Sequence, residues 1–211
     1  MFQFINRVSV ALSALALCVS SAHARDVSGV KVDEKIRLAN TDLTLNGSGI
    51  RYAAAGFVRV YVASLYLPQK RTTNAEIAAI TGPRRVHLNL LRDINANDFS
   101  KALLSGIKAN LSGAEQQRHF ESLLKLGTIF GQIPSLKKGE TISVDLIPGA
   151  GTMISVDGKR VGDIFLDETF WNALLQIWIG PKPIDDSLKP VLLGLTPSNE
   201  TGTRSNSSEK F

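Results

Sequence analysis

The sequence predicts an α+β domain with a mainly antiparallel sheet and helices packed on one face. Three observations lead there. Leu43 to Leu67 reads as two long strands folded back on each other, Asn95 to Ile133 carries apolar residues at helical spacing, and alternating strands between Gly139 and Val156 precede an apolar helix that opens at Asp167. Strands, then helices, then strands, then helices again are the element order of an α+β domain rather than of a parallel α/β fold.

Met1 to Ala24 has the form of a processing segment. Arg7 supplies a positive start, Val8 to Val19 is uncharged and apolar, and Ala22-His23-Ala24 is an A-x-A cleavage signal, so the mature chain is expected to begin at Arg25. The apolar run is short for a membrane span, and no later stretch approaches the required length. Leu17, just before Cys18, does not fit the small residue that lipid attachment wants. The expected location is the periplasm or the exterior. Removing 24 of the 211 residues leaves 187, the size of one domain with a substantial core. The single cysteine leaves with the segment, which excludes a disulfide, a thiol nucleophile and a thiolate metal site. A formal charge of +5 is spread over short pairs such as Lys70-Arg71, Arg84-Arg85, Lys137-Lys138 and Lys159-Arg160. These read as solvated loop charge, and no run is long enough to indicate a nucleic-acid partner.

Asp26 to Asn40 alternates weakly and is expected to supply one lead-in strand. In the hairpin, Asn46-Gly47-Ser48-Gly49 offers positive-φ conformations for bulged or bent strands, and Phe57 to Leu67 has strong strand character. Thr73 or Asn74 caps a short helix that Gly82-Pro83 ends, and Arg84 to Leu91 alternates as a strand. Helices follow over Asn95 to Leu111 and Ala114 to Ile133, separated by Ser112-Gly113, with Phe99, Leu103, Ile107 and Leu111 along one stripe. Strands are expected over Gly139 to Ile147 and Gly151 to Val156, with Asp157-Gly158 turning the chain into Lys159 to Ile164. An apolar helix runs from Asp167-Glu168-Thr169 to Gly180-Pro181, and Asp185-Asp186-Ser187 introduces a last short helix or turn. The domain is therefore set at residues 25–196, and the polar tail 197–211 is expected to be disordered. His87 and His119 stand alone in sequence, so neither is assigned a metal, and neither repeats nor a phosphate loop appears. No cofactor is implied.

If the hairpin connection lies around Tyr52 to Gly56 and the pair is antiparallel, Arg51 sits across the ladder from Tyr61 to within a register step, which sequence does not fix. A guanidinium and a phenol on one face can hold a carboxylate or phenolate oxygen. The plain alternative is that Arg51 pairs with a surface carboxylate while Tyr61 fills a core edge.

Asn46 to Arg51 with Phe57 to Leu67 resembles the core hairpin of the chalcone isomerase family, in particular its bacterial exported branch. Ile80-Thr81-Gly82-Pro83-Arg84-Arg85, Leu91-Arg92-Asp93, Pro148-Gly149-Ala150-Gly151-Thr152 and Ile177-Trp178-Ile179-Gly180 resemble later blocks in order, so the likeness runs from about Val27 to Leu195. It implies an open-faced sandwich. Chalcone cyclisation needs a cation for the phenolate and polar groups for the developing enolate. Arg51 matches the family's catalytic arginine. The catalytic threonine falls between Gly56 and Tyr61, where no threonine stands, the catalytic tyrosine falls at Phe99, and the asparagine two turns later falls at Gly106. A late polar position near Ala173 is apolar as well. With these groups missing, the pattern resembles the non-catalytic fatty-acid-binding branch, in which an arginine and a tyrosine hold a carboxylate beneath an apolar cleft. The resemblance thus implies a ligand site of Arg51, Tyr61, Phe99 and Leu103 for a small apolar carboxylate. Two other readings stay open: an isomerase or intramolecular lyase acting on an enone through Arg51, and a structural or interaction domain of the cell envelope. Sequence leaves the oligomeric state undetermined.

Overall fold

The central hairpin pairs a thirteen-residue strand with a ten-residue one, and the remaining elements assemble around it. The computed structural model describes residues 24–54, 56–133 and 135–197. Most of the expected processing segment and of the polar tail lie outside these residues.

Strands β1 (Ala24–Val27) and β2 (Val30–Asp33) form a small hairpin of their own. β3 (Lys35–Leu38), β4 (Thr41–Ala53), β5 (Val58–Leu67), β6 (Arg84–Leu90), β7 (Thr141–Ile147), β8 (Gly151–Val156) and β9 (Lys159–Arg160) form a seven-stranded sheet in sequential order, antiparallel throughout. The single lead-in strand expected over Asp26 to Asn40 is thus three short strands. Positive φ at Ser28 turns the chain from β1 to β2, and positive φ at Ala39 and Asn40 turns it from β3 into β4. Helix α1 (Asn74–Ala78) follows β5, with a capping box between Thr73 and Glu76. α2 (Ala96–Asn110), α3 (Gly113–Arg118) and α4 (Phe120–Gly131) lie between β6 and β7, and α5 (Thr169–Ile179) and α6 (Leu188–Leu192) close the fold. The helix expected over Ala114 to Ile133 is broken at His119, whose backbone (φ −96°, ψ 13°) is neither helical nor extended.

Pleating sends alternate residues to opposite faces. Tyr61, Ala63 and Leu65 of β5, Val86, Leu88 and Leu90 of β6, and Ile142, Val144 and Leu146 of β7 face α2, α4 and α5 in the main core. Leu43, Leu45, Ile50, Val62 and Tyr66 face the other way and are covered by Val27, Val32 and Leu38 of the N-terminal strands. The helices therefore occupy one face only, as the sequence predicts.

Two β-bulges shift the register between β4 and β5, one between Leu45 and Gly47 and one between Arg51 and Tyr52. Gly47 does not have positive φ. Its role is space: a Cβ there would stand 1.9 Å from the Val191 carbonyl oxygen of α6. Arg84-Arg85 is likewise no solvated loop pair. Both lie in β6 on opposite faces, Arg84 4% exposed beneath Trp171 and Arg85 gripping the buried Asp145 through Nε and Nη2, each at 2.6 Å. Phe57, expected in the second strand, stands in the β4–β5 turn and is 82% exposed.

Candidate functional site

Arg51 and Tyr61 are direct partners in the β4–β5 ladder, which puts both side chains on the helix face of the sheet. The guanidinium carbon lies 5.7 Å from the centre of the Tyr61 ring, within cation–π range. Tyr61 is 1% exposed, and its hydroxyl accepts a hydrogen bond of 2.9 Å from Trp178 Nε1 in α5. Burial raises the Tyr61 pKa to about 12, although Arg51 and the indole N–H pull against it, so the phenol is neutral at physiological pH. It can donate a hydrogen bond to an anion but does not supply a phenolate.

Arg51 itself has a buried Nε with no hydrogen-bond partner. Among the described residues no carboxylate stands within ion-pair distance of it. Asp185, the acidic group close enough to Tyr61 to influence it, is engaged elsewhere: it accepts from Tyr52 N at 2.7 Å, from Ser187 N at 2.9 Å and from Ser187 Oγ at 2.7 Å. Those bonds tie the α5–α6 connection to the end of β4 just beyond Arg51. The contrast with Arg84 is instructive. Arg84 donates from Nη1 to the Ile77 carbonyl at 2.7 Å and lies 4.8 Å from the Trp171 ring centre, and burial lowers its pKa to about 10. Its Nε, like that of Arg51, is buried without a partner; the difference is that Arg84 is anchored through Nη1 to the backbone under the Trp171 ring, whereas Arg51 stands beside the Tyr61 phenol.

Phe99 and Leu103 project from α2 into the core, beside Leu126 and Phe130 of α4 and Trp178 of α5. Phe99 meets Phe130 edge to face at 5.2 Å between centroids. The cavity that these residues line, with Leu88, Ile142, Val144, Ile154 and Leu174, measures about 10 Å³. That is about room for one water, against the several hundred Å³ of an ordinary ligand pocket. The apolar half of the site is thus packed shut, with Trp178 as its link to the polar half: the ring lines the cavity and its N–H reaches Tyr61.

Phe99 offers no donor at the position of the family's tyrosine. Gly106 serves helix packing, since a Cβ there would come within 3.1 Å of Ile177 Cγ2 in α5, and Ala173 is buried. His87 Nδ1 shares a hydrogen bond of 2.9 Å with Ser143 Oγ on the sheet face away from the helices. His119 Nδ1 stands 3.1 Å from Asp167 Oδ2. Among the described residues no group of three His, Cys, Asp or Glu could hold a metal ion, and no helix is long and apolar enough to cross a membrane. Sequence reasoning missed Trp178 and Asp185. An indole N–H in an otherwise apolar helix is a signal that a partner exists, but the partner is 117 residues away and only the fold brings it near.

A curled antiparallel sheet with helices on one side, carrying an arginine–tyrosine pair at the mouth of its central hairpin, defines an open-faced sandwich of the chalcone isomerase type. Residues 24–194 match the family described as chalcone isomerase-like, and the chain belongs to that family. Among solved structures it is similar to the fatty-acid binding protein AtFAP1 of Arabidopsis thaliana, at 17% identity, over 79% of this chain and 92% of that one, with a TM-score of 0.57. That likeness is one of fold. No curated protein matches the sequence.

Proposed function

We propose that this chain is an exported, non-catalytic chalcone isomerase-like protein of the bacterial branch that binds an apolar carboxylate such as a fatty acid, with its anionic head at Arg51 and Tyr61 and its chain between the sheet and α2. The observation that carries this reading is Arg51: a cation on the helix face of β4 whose Nε is buried without a partner, beside a neutral phenol. A desolvated donor of this kind is costly until an acceptor meets it. A carboxylate supplies that acceptor and the counter-charge together. The likeness of fold to AtFAP1, a fatty-acid binding protein, supports this reading. Because the interior cavity is about 10 Å³, binding requires α2 to move away from the sheet, with Phe99 and Leu103 becoming the walls of the space so opened.

The closed cavity also favours a second reading, in which the protein's own side chains fill the cleft and the domain acts as a structural or interaction module of the cell envelope. Calorimetric titration of delipidated protein with a long-chain fatty acid and its methyl ester separates the two. Under the first reading the acid binds, the ester binds more weakly, and Arg51→Met weakens the acid by about tenfold to a hundredfold, the worth of a charge-assisted hydrogen bond. Equal affinity for acid and ester, or no effect of Arg51→Met, removes the clamp. Absence of binding by either leaves the second reading. Export is tested by sequencing the mature N-terminus, expected at Arg25.

A further inference from the structure

The β4–β5 turn carries Phe57 into solvent with four-fifths of its surface exposed, an unusual position for a phenyl ring. Gly56 N donates to Ala53 O and Phe57 N to Ala54 O, each at 3.2 Å, with Gly56 at φ +94°. Beside it lies a depression of about 510 Å³ lined by Ser28, Phe57, Val58, Arg59, Leu91, Arg92 and Lys138. Three cations line it and no carboxylate does. The acids adjacent in sequence to its lining residues are committed elsewhere: Asp93 to Lys137 Nζ at 3.1 Å and to Lys138 N at 2.9 Å, and Asp26 to Lys31 Nζ at 3.1 Å and Gly29 N at 2.8 Å. Arg59 gives one hydrogen bond of 2.8 Å to Ser28 Oγ. Among the described residues none of Arg59, Arg92 and Lys138 has a carboxylate at ion-pair distance.

We propose that this tip is a docking surface for a membrane rich in anionic phospholipid, with Phe57 entering the interfacial region and Arg59, Arg92 and Lys138 meeting lipid phosphates. The charge complementarity selects an anionic occupant. The exposed phenyl selects a membrane over a soluble anion, because a free phosphate gives an apolar ring nothing to bury against, whereas the headgroup–acyl boundary of a bilayer takes it out of water. The surface lies at the hairpin tip and on the sheet face opposite Arg51, so the inference holds whether or not Arg51 takes a ligand.

The test is co-sedimentation with vesicles of phosphatidylcholine alone or mixed with phosphatidylglycerol. The protein used starts at Arg25, which keeps every helix and all but the first residue of the strands among the described residues and removes the apolar segment 8–19 as a source of binding. Binding is expected to the mixed vesicles only and to fade with salt. Each surface cation is worth about fivefold in partition, so Arg59→Glu/Arg92→Glu/Lys138→Glu lowers it by at least roughly a hundredfold. Phe57→Ala lowers it by about tenfold. Lys35→Glu, one charge reversal in β3 opposite Thr44, changes it less than Arg92→Glu does. In Phe57→Trp the new indole shifts its emission to the blue on mixed vesicles, and Arg51→Met binds them like the parent. Melting curves identify any variant that fails to fold, and the tryptophan signal reads the same contact without loss of a side chain. Equal binding to both vesicle types, no effect of Phe57→Ala with no blue shift, or equal losses in Lys35→Glu and Arg92→Glu overturns the proposal. So does competition by inorganic polyphosphate with an unshifted Phe57→Trp emission, which assigns the cations to a soluble anion.

Discussion

Gly47→Ala perturbs the contact on which the C-terminal part of the fold is seated. Asn46 occupies the bulge of β4, where its Nδ2 donates to the carbonyl oxygens of Leu192 (2.7 Å) and Arg71 (2.9 Å) and its Oδ1 accepts from Arg71 N (2.7 Å). Gly47 leaves the helix face of the strand bare, so that α6 can rest on the backbone. A methyl group at that position would lie 1.9 Å from Val191 O, 2.9 Å from Val191 C and 3.0 Å from Leu192 Cα, all of them main chain, so no side-chain rotation relieves the overlap. Restoring a contact of 3.4 Å requires α6 to retreat by about 1.5 Å. That movement breaks the Asn46–Leu192 bond and loosens Leu188, Val191 and Leu192, all buried. Overpacking costs about 1–3 kcal/mol, and a buried hydrogen bond left unmade adds about 1–3. The gain from a stiffer unfolded chain returns well under 1 kcal/mol. A net loss of about 1–5 kcal/mol lowers the melting temperature by roughly 2–20 °C for a domain of this size. Gly113→Ala is the control: it opens α3, has nothing within 4 Å of the added methyl, and should be neutral or slightly stabilising. Melting of Gly47→Ala within about 2 °C of the parent would refute the argument that α6 is seated on that glycine.

Removing Asp145 leaves the Arg85 guanidinium, 24% exposed, without its bidentate partner; Asp145→Ala should cost about 3 kcal/mol in urea denaturation, and Arg85→Met/Asp145→Leu should recover most of it. Tyr61→Phe takes away the acceptor of a buried indole N–H and should cost about 1–3 kcal/mol, while adding Trp178→Phe should cost less than the sum of the two single changes. His87 has its pKa lowered from 6.5, first by burial and then by Arg85, so the unfolded chain binds more protons than the folded one as pH falls through about 6.5. Stability should therefore decline from pH 7 to 5 more steeply in the parent than in His87→Gln, and parallel curves would show that this imidazole is not linked to folding. With Phe99 and Gly106 in place of two hydrogen-bonding groups, 2′-hydroxychalcone should not be cyclised at a rate above the solvent reaction, and turnover abolished by Arg51→Ala would show that other groups replace them.

The local alphabet of this chain determined the element types and the pairing of its central strands. The β-branched and aromatic run from Val58 to Leu67 and the alternation of Arg84 to Leu91 demanded strands, the 3.6-residue spacing of Phe99, Leu103 and Ile107 demanded a helix, and a short connection near Gly56 brought Arg51 to within one register step of Tyr61; the bulge between Arg51 and Tyr52, which a tight hairpin does not by itself require, makes the two direct partners. The family, too, was legible in residues that recur in order along the chain. What sequence could not reach were relations between residues far apart. Gly47 looked like a conformational hinge, and only the seat of α6 144 residues later shows it to be a gap for another backbone. Arg84 and Arg85 looked alike as charges, yet the pleat of one strand sends the first under Trp171 and the second to Asp145. Phe99 and Leu103 were read correctly as apolar and inward-facing. Whether an apolar stripe lines a pocket or fills a core depends on how closely α2, α4 and α5 approach the sheet. That spacing is set by the summed volume of side chains from five or more elements, which no single stretch of sequence encodes.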